Sequence, residues 1–150
     1  MLEKIIIGSD HGGYNLKNQI IEHFTKMGYA FDDRGCFSTE SCDYPVIAKD
    51  VVKEVLKTSG RGILVCGTGI GMSMVANRFD GIRASLCSDT YSARLTRMHN
   101  DSNILALGAD YTDTSKAIRI VRMWIATEFE GGRHQERIQI IDEIEKENMK

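Results

Sequence analysis

The chain has 150 residues, 42% hydrophobic and 27% charged, ordinary proportions for a globular protein with room for a buried core. A formal net charge of −2 gives no case for nucleic acid or an anionic membrane as the main partner. No apolar run approaches the roughly 20 residues of a membrane span, and Met1-Leu2-Glu3-Lys4 leads into Ile5-Ile6-Ile7 without an export signal's layout, so a cytoplasmic protein is expected.

Short β-rich runs alternate with longer amphipathic stretches, the pattern of βαβ units and a parallel sheet. Ile5-Ile6-Ile7 reads as the first buried strand. Leu16, Ile20, Phe24 and Met27 then recur at helical spacing, and Gly28 ends that helix. Tyr29 to Asp33 reads as the second strand. After a loop, Tyr44-Pro45 opens a helix through Ile47, Val51, Val55 and Leu56, with the single proline near its start. Gly62-Ile63-Leu64-Val65-Cys66 is apolar enough for a central third strand. A helix follows from Ile70 to Arg78, a fourth strand from Ile82 to Cys87, a helix over 89–99, and a fifth strand from Ile104 to Leu107 ending at Gly108. Two helices finish the chain, Thr114 to Phe129 and about 135–148. No repeat or Gly/Ser linker divides it. Residues 1–150 are therefore expected to form one α/β domain, a three-layer α/β/α Rossmann-like sandwich around a five-stranded parallel sheet.

In such sheets ligands bind beyond the carboxyl ends of the strands, where the strand order reverses. That rule selects Ser9-Asp10-His11-Gly12-Gly13, Cys66-Gly67-Thr68-Gly69-Ile70-Gly71 and Cys87-Ser88-Asp89. The four cysteines, Cys36, Cys42, Cys66 and Cys87, form no C-x-x-C pair, which argues against a zinc knuckle or thioredoxin-type site. Without an export signal all four are expected to be reduced. Three of them read as small buried hydrophobes. Cys66 stands apart because of its loop.

Glycines at alternate positions let the 67–71 backbone curl so that several N–H groups face one concavity, a nest for an anionic oxygen, and the following helix adds partial positive charge. A thiol beside that nest can act as a base next to an oxyanion stabiliser. A tight strand-to-helix turn with a buried cysteine fits the same residues. A dinucleotide site is disfavoured: the spacing is G-x-G-x-G, and Asp10 stands where pyrophosphate would approach, although Asp32 or Asp33 lies at a suitable distance for a ribose contact. Asp10 suits either a helix cap or a ligand contact, and His11 falls in the expected cleft. His99-Asn100 closes a helix, where a histidine also serves as a cap; His23 reads as a surface residue. Arg133 and Arg137, four apart, share a helical face behind Gly131-Gly132, which suits a phosphate or a solvated ion-pairing face.

Five blocks in order, Gly8-Ser9-Asp10-His11-Gly12-Gly13, Asp43-Tyr44-Pro45, Cys66-Gly67-Thr68-Gly69-Ile70-Gly71-Met72-Ser73, Met98-His99-Asn100-Asp101 and Gly131-Gly132-Arg133-His134, resemble the type B ribose-5-phosphate isomerase (RpiB/LacAB) family. The resemblance implies an aldose–ketose isomerase that works through a cis-enediolate without metal or cofactor. By that resemblance Cys66 is the base, the Gly67, Gly69, Ile70 and Gly71 backbone holds the enediolate oxygen, and Thr68 with His99 opens the sugar ring. Asp10, Asn100 and Tyr44 correspond to sugar contacts, and His11, Arg133 and Arg137 to the phosphate group. The resemblance also implies a homodimer, or a dimer of dimers, in which His99 and Asn100 serve the partner's Cys66. The C-terminal helix, with Ile138, Ile141 and Ile144, is expected to contribute to that dimer.

One branch of the family carries a glutamate as base where this chain has Met72, which leaves Cys66. Where relatives often have arginine after the fifth strand, this chain has Gly108-Ala109-Asp110, a carboxylate in place of a cation. A six-carbon substrate, such as allose or galactose 6-phosphate, and a non-catalytic sugar-phosphate or nucleotide sensor are the competing readings. A thiol redox protein is disfavoured because no resolving cysteine is near Cys66 in sequence.

Overall fold

The computed structural model describes residues 3–149; Met1 and Leu2, where the reading of the N-terminus begins, and Lys150 lie outside them. Five strands, β1 (Lys4–Ser9), β2 (Ala30–Asp33), β3 (Arg61–Cys66), β4 (Ala84–Leu86) and β5 (Ile104–Gly108), form a sheet in the order β2-β1-β3-β5-β4. Every pairing is parallel. Parallel neighbours need crossovers, and these are α1 (Tyr14–Thr25), α2 (Tyr44–Thr58), α3 (Ile70–Ala76) and α4 (Thr90–Asn100), with α5 (Thr114–Ala126) and α6 (Arg133–Asn148) closing the chain. Among the described residues no helix is long and apolar enough to cross a membrane.

Alternation along the strands sends side chains to two cores. Ile5, Ile7, Ile63, Val65, Leu105 and Leu107 pack with Leu16, Ile20 and Phe24 of α1 and Ala117, Ile120, Val121 and Trp124 of α5. Ile6, Leu64, Cys66 and Ile104 pack on the other face with Ala48, Val51, Val52 and Val55 of α2 and Met72 and Ala76 of α3. This is the expected α/β/α sandwich, with strands buried on both faces.

Helix starts behind the strand ends are fixed by aspartates. Asp10 Oδ1 accepts the Gly13 N–H at 3.0 Å, opening a short 3-10 turn (His11–Gly13) before α1. Asp89 accepts the Ser92 N–H at 2.7 Å, and Asp113 accepts the Lys116 N–H at 2.8 Å. Boundaries differ locally from the sequence reading. β4 covers only Ala84–Leu86, because the Ile82 N–H turns back to Phe79 and the Arg83 N–H bonds the Asn103 side chain. α5 stops at Ala126, where Thr127 becomes extended, and α6 begins at Arg133 rather than 135.

The expectation of four reduced cysteines is corrected at one pair. The loop after β2 doubles back so that Cys36 and Cys42 pair as a disulfide, their Cα atoms 6.9 Å apart, whereas Cys66 and Cys87 are free and buried. Composition and compartment carry no information about that loop's path. Above it, the fully buried Lys17 ammonium donates to Asp33 at 2.8 and 3.0 Å and to the Cys36 carbonyl at 2.6 Å. Asp33 is thus committed to Lys17, and Asp32 to Arg34. Neither is a ribose ligand.

Candidate active site

The strand order reverses direction between β1 and β3, since β2 lies outside β1 and the remaining strands lie beyond β3. The carboxyl ends of these two strands carry Asp10 and Cys66. A cleft of about 460 Å³ opens there, lined by Asp10, Tyr44, Cys66, Gly67, Thr68, Ile70, Gly71 and Met74. A polar recess of about 450 Å³ lies at the opposite, amino ends of the strands, around Arg61, Arg83 and Asn103, away from this cleft.

Cys66 Sγ, in a side chain only 5% exposed, accepts the Gly69 N–H at 3.0 Å. Gly69 adopts φ +76°, and a Cβ there would stand 2.9 Å from the Leu107 carbonyl carbon and 2.6 Å from the Leu86 side chain. Backbone freedom and close approach both demand glycine. The turn it makes aims an N–H at the sulfur. Gly71 is small for a different reason: the Tyr44 ring lies where its Cβ would be, 2.5 Å from Cε1. Tyr44 is thereby laid along the cleft wall. Thr68 presents an exposed side chain whose Oγ1 accepts the Ile70 N–H at 3.2 Å. Met72 is fully buried in the core, so it offers nothing to the cleft.

One Asp10 carboxylate oxygen makes the cap foreseen for it, and the residue also lines the cleft. His11 is exposed, and its Nδ1 accepts the Cys42 N–H at 3.2 Å, so the disulfide loop orients its ring. Cys87 is structural; burial, the largest influence, pushes its thiol up, partly offset by a hydrogen bond from Ser92. His23 is half-buried against Arg122.

His99, Asn100, Arg133 and Arg137 do not join this cleft within one chain. They gather at the other end of the sheet. α4 runs antiparallel to the strands, and its last residues hand over to Asn103 and the amino end of β5; the Asn100 carbonyl accepts Arg83 Nε at 2.9 Å there. The Glu130 N–H bonds the Met98 carbonyl at 3.0 Å, drawing the start of α6 alongside. Gly131 and Gly132, at φ +72° and +58°, make the reversal, which is a structural use of the glycine pair. The His134 ring stacks on that of His99, centroids 4.3 Å apart and 15° from parallel. Burial foremost, then the neighbouring His99 and Arg133, holds the His134 imidazole below its ordinary range, with Glu130 acting the other way. Arg133 and Arg137 are exposed on one face of α6, and among the described residues neither has an ion-pair partner.

Two residues at the cleft escaped the motif reading. Tyr111 donates its hydroxyl to the Thr68 carbonyl at 2.6 Å, and its ring covers Gly108. Burial, and then the Cys66 sulfur, raises its phenol above the ordinary range. Its position just past a strand's carboxyl end was the available signal. Met74 lines the mouth and lies one helical turn beyond Ile70.

A thiol contacted by a backbone N–H, in a cleft at the switch point of a parallel sheet, defines a class: parallel α/β proteins with an open cleft beyond the carboxyl ends of their strands. A family model described as Ribose/Galactose Isomerase matches residues 5–141. The chain is 45% identical over 146 residues to ribose-5-phosphate isomerase B of Escherichia coli K12, spanning 96% of this chain and 97% of that protein. Its fold matches ribose-5-phosphate isomerase B of Clostridium thermocellum with a TM-score of 0.96 and 48% identity, over 98% of this chain and 100% of that one. The Mycoplasma genitalium isomerase B, solved with bound ribulose 5-phosphate, matches with a TM-score of 0.93 and 39% identity over 99% and 100% of the two chains. The chain belongs to the ribose/galactose isomerase family.

Proposed function

We propose that this protein interconverts ribose 5-phosphate and ribulose 5-phosphate, with Cys66 as the base. The observation that carries the reading is the Gly69 N–H on Cys66 Sγ at the mouth of the switch-point cleft, in a chain whose relatives are named for this isomerisation. The sugar enters as a closed ring. Thr68, with His99 of a second copy, assists transfer of the ring-hydroxyl proton, and the ring opens to the free aldehyde. The Cys66 thiolate then removes the proton from C2, and the electron pair moves onto O1. The 67–71 backbone donors hold the resulting cis-enediolate oxygens, which are more negative than the ground-state carbonyl; that difference lowers the barrier. Returning the proton from Cys66 to C1, with transfer of the O2 proton, gives the ketose. Asp10, Tyr44 and the partner's Asn100 hold sugar hydroxyls, and His11 holds the phosphate with the partner's Arg133 and the partner's Arg137. Among the described residues the two arginine heads have no carboxylate ion-pair partner, which supports that role.

The functional unit in this reading is a homodimer or a dimer of dimers. Half-exposed Ile70 and Met74 beside the cleft, and Ile140, Ile141 and Ile144 on α6, supply apolar surface for it. Turnover assays on five- and six-carbon aldose phosphates test the substrate. Ribose 5-phosphate should be preferred, and preference for a six-carbon substrate would overturn the assignment. Cys66→Ala should cut turnover by roughly a hundred- to ten-thousand-fold while substrate still binds. Near-normal activity in this variant would remove the proposed base.

A further inference from the structure

We propose that His99, Glu130 and His134 form a binding site for a borderline divalent transition-metal cation of the zinc, nickel or cobalt kind. One ligand atom from each residue can be chosen so that all lie within 4.8 Å of one another, and His99 Nε2 is 4.0 Å from Glu130 Oε2. An ion bound at about 2.0–2.1 Å in a tetrahedral set needs donors roughly 3.3 Å apart, so the cluster must close by up to about 1.5 Å. The parts that must move are free to move: the His99 and Glu130 side chains are 37% and 51% exposed.

The fixed part is already dry. His134 is 6% exposed, and its Nε2 is buried without a hydrogen-bond partner among the described residues. A buried ring nitrogen left unpaired costs stability unless something occupies it. Burial foremost, then His99 and Arg133, shifts this imidazole toward its neutral form, the form that ligates. Two imidazoles and one carboxylate select borderline ions over magnesium or calcium, which prefer all-oxygen shells. Three protein donors leave a fourth position for water. Arg133 and Arg137 oppose any cation here, and Glu130 supplies the only carboxylate of the cluster, so Glu130 decides whether an ion stays. A bound cation also takes His99 out of use, making the ion a reversible inhibitor of isomerisation. That second half rests on the ring-opening role given to His99; the binding does not.

Cobalt(II) titration of chelator-treated protein, followed by visible d–d absorption, tests the site. The expected result is one saturable equivalent without the near-ultraviolet thiolate-to-metal band that Cys66 or Cys87 ligation would give. Glu130→Gln, a change at an exposed side chain that leaves the fold intact by circular dichroism, should weaken the titration about tenfold or more. No saturable absorption at millimolar cobalt, a thiolate band, or a titration unchanged by Glu130→Gln would overturn the site. In parallel, zinc should inhibit turnover of ribose 5-phosphate, chelator should restore it, and Glu130→Gln should need about tenfold more zinc for the same inhibition. Cobalt absorption without such inhibition would overturn the inhibitory half and count against the role of His99, leaving the cation site standing.

Discussion

At the residue scale, the sharpest departure from the family pattern is a charge. Asp110 donates its backbone N–H to the Gly67 carbonyl at 2.9 Å, and its carboxylate lies 2.9 Å from where a Gly67 Cβ would be. A negative group therefore stands against the nest that is to receive oxyanions. Replacing it with a cation, Asp110→Arg, should lower KM for ribose 5-phosphate, by up to about tenfold if one charge-assisted contact forms. Kinetics on five- and six-carbon substrates check this; a gain for six-carbon sugars only would make Asp110 a selector of sugar length. Cys87 allows a second prediction. Its folded-state thiol is pushed up by burial, so the folded chain keeps a proton that the unfolded chain releases from about pH 9 upward. The stability it contributes is complete below the unfolded value and is lost as pH rises toward the folded one. The unfolding free energy from urea titrations should fall between pH 8 and pH 10 with a slope of at most about 1.4 kcal/mol per pH unit from this group. Cys87→Ala should flatten that limb, and an identical slope in both proteins would assign it elsewhere.

At the scale of elements, the β3–α3 turn depends on backbone conformation more than on side-chain contacts. Gly69→Ala forces a left-handed alanine against the Leu107 backbone, and the N–H aimed at Cys66 must swing away. The expected cost is about 1–3 kcal/mol in denaturant stability, accompanied by a large fall in kcat. Unchanged stability and turnover would show that the left-handed turn is not needed. The elements themselves were legible because their signals are local: alternating or continuous apolar runs, one proline in the first turn of α2, and glycines past strand ends. All five strands and six helices appear where periodicity put them. Less legible were the ends, which tertiary bonds decide, as Asn103 does for Arg83 at the start of β4. Lys17 was unreadable for the same reason. A lysine on an amphipathic helix reads as solvent-facing, and only the fold brings Asp33 and the Cys36 carbonyl to its ammonium. The disulfide beside it likewise depends on a loop path that no periodicity encodes.

At the scale of the whole molecule, the site residues fall into two groups set by topology. Motif reading singled out both groups as candidates but could not say that they occupy opposite ends of one sheet. Cys66 pairs with Gly108 at the carboxyl end of β5, while His99 ends a helix that leads into Ile104 at the amino end. Four residue steps of strand separate these ends, about 13 Å, too far for a histidine to reach a sugar held at Cys66. The stripe expected on the last helix is divided as well. Ile138 is buried within its own chain, whereas Ile141 and Ile144 remain half-exposed and available to a second copy. If two copies complete each other, inactive variants should rescue one another. Cys66→Ala chains keep His99, and His99→Ala chains keep Cys66, so a mixed dimer contains one cleft with both groups and one with neither. Random exchange makes half the dimers mixed, and roughly a quarter of wild-type activity should return on mixing equal amounts. Subunit exchange is verified by mass-tagged chains, and each parent alone supplies the baseline. If exchange is complete and activity stays at that baseline, the two ends do not serve a common site, and the ring-opening group must be sought among the cleft's own residues, with Thr68 and Asp10 the next to be replaced.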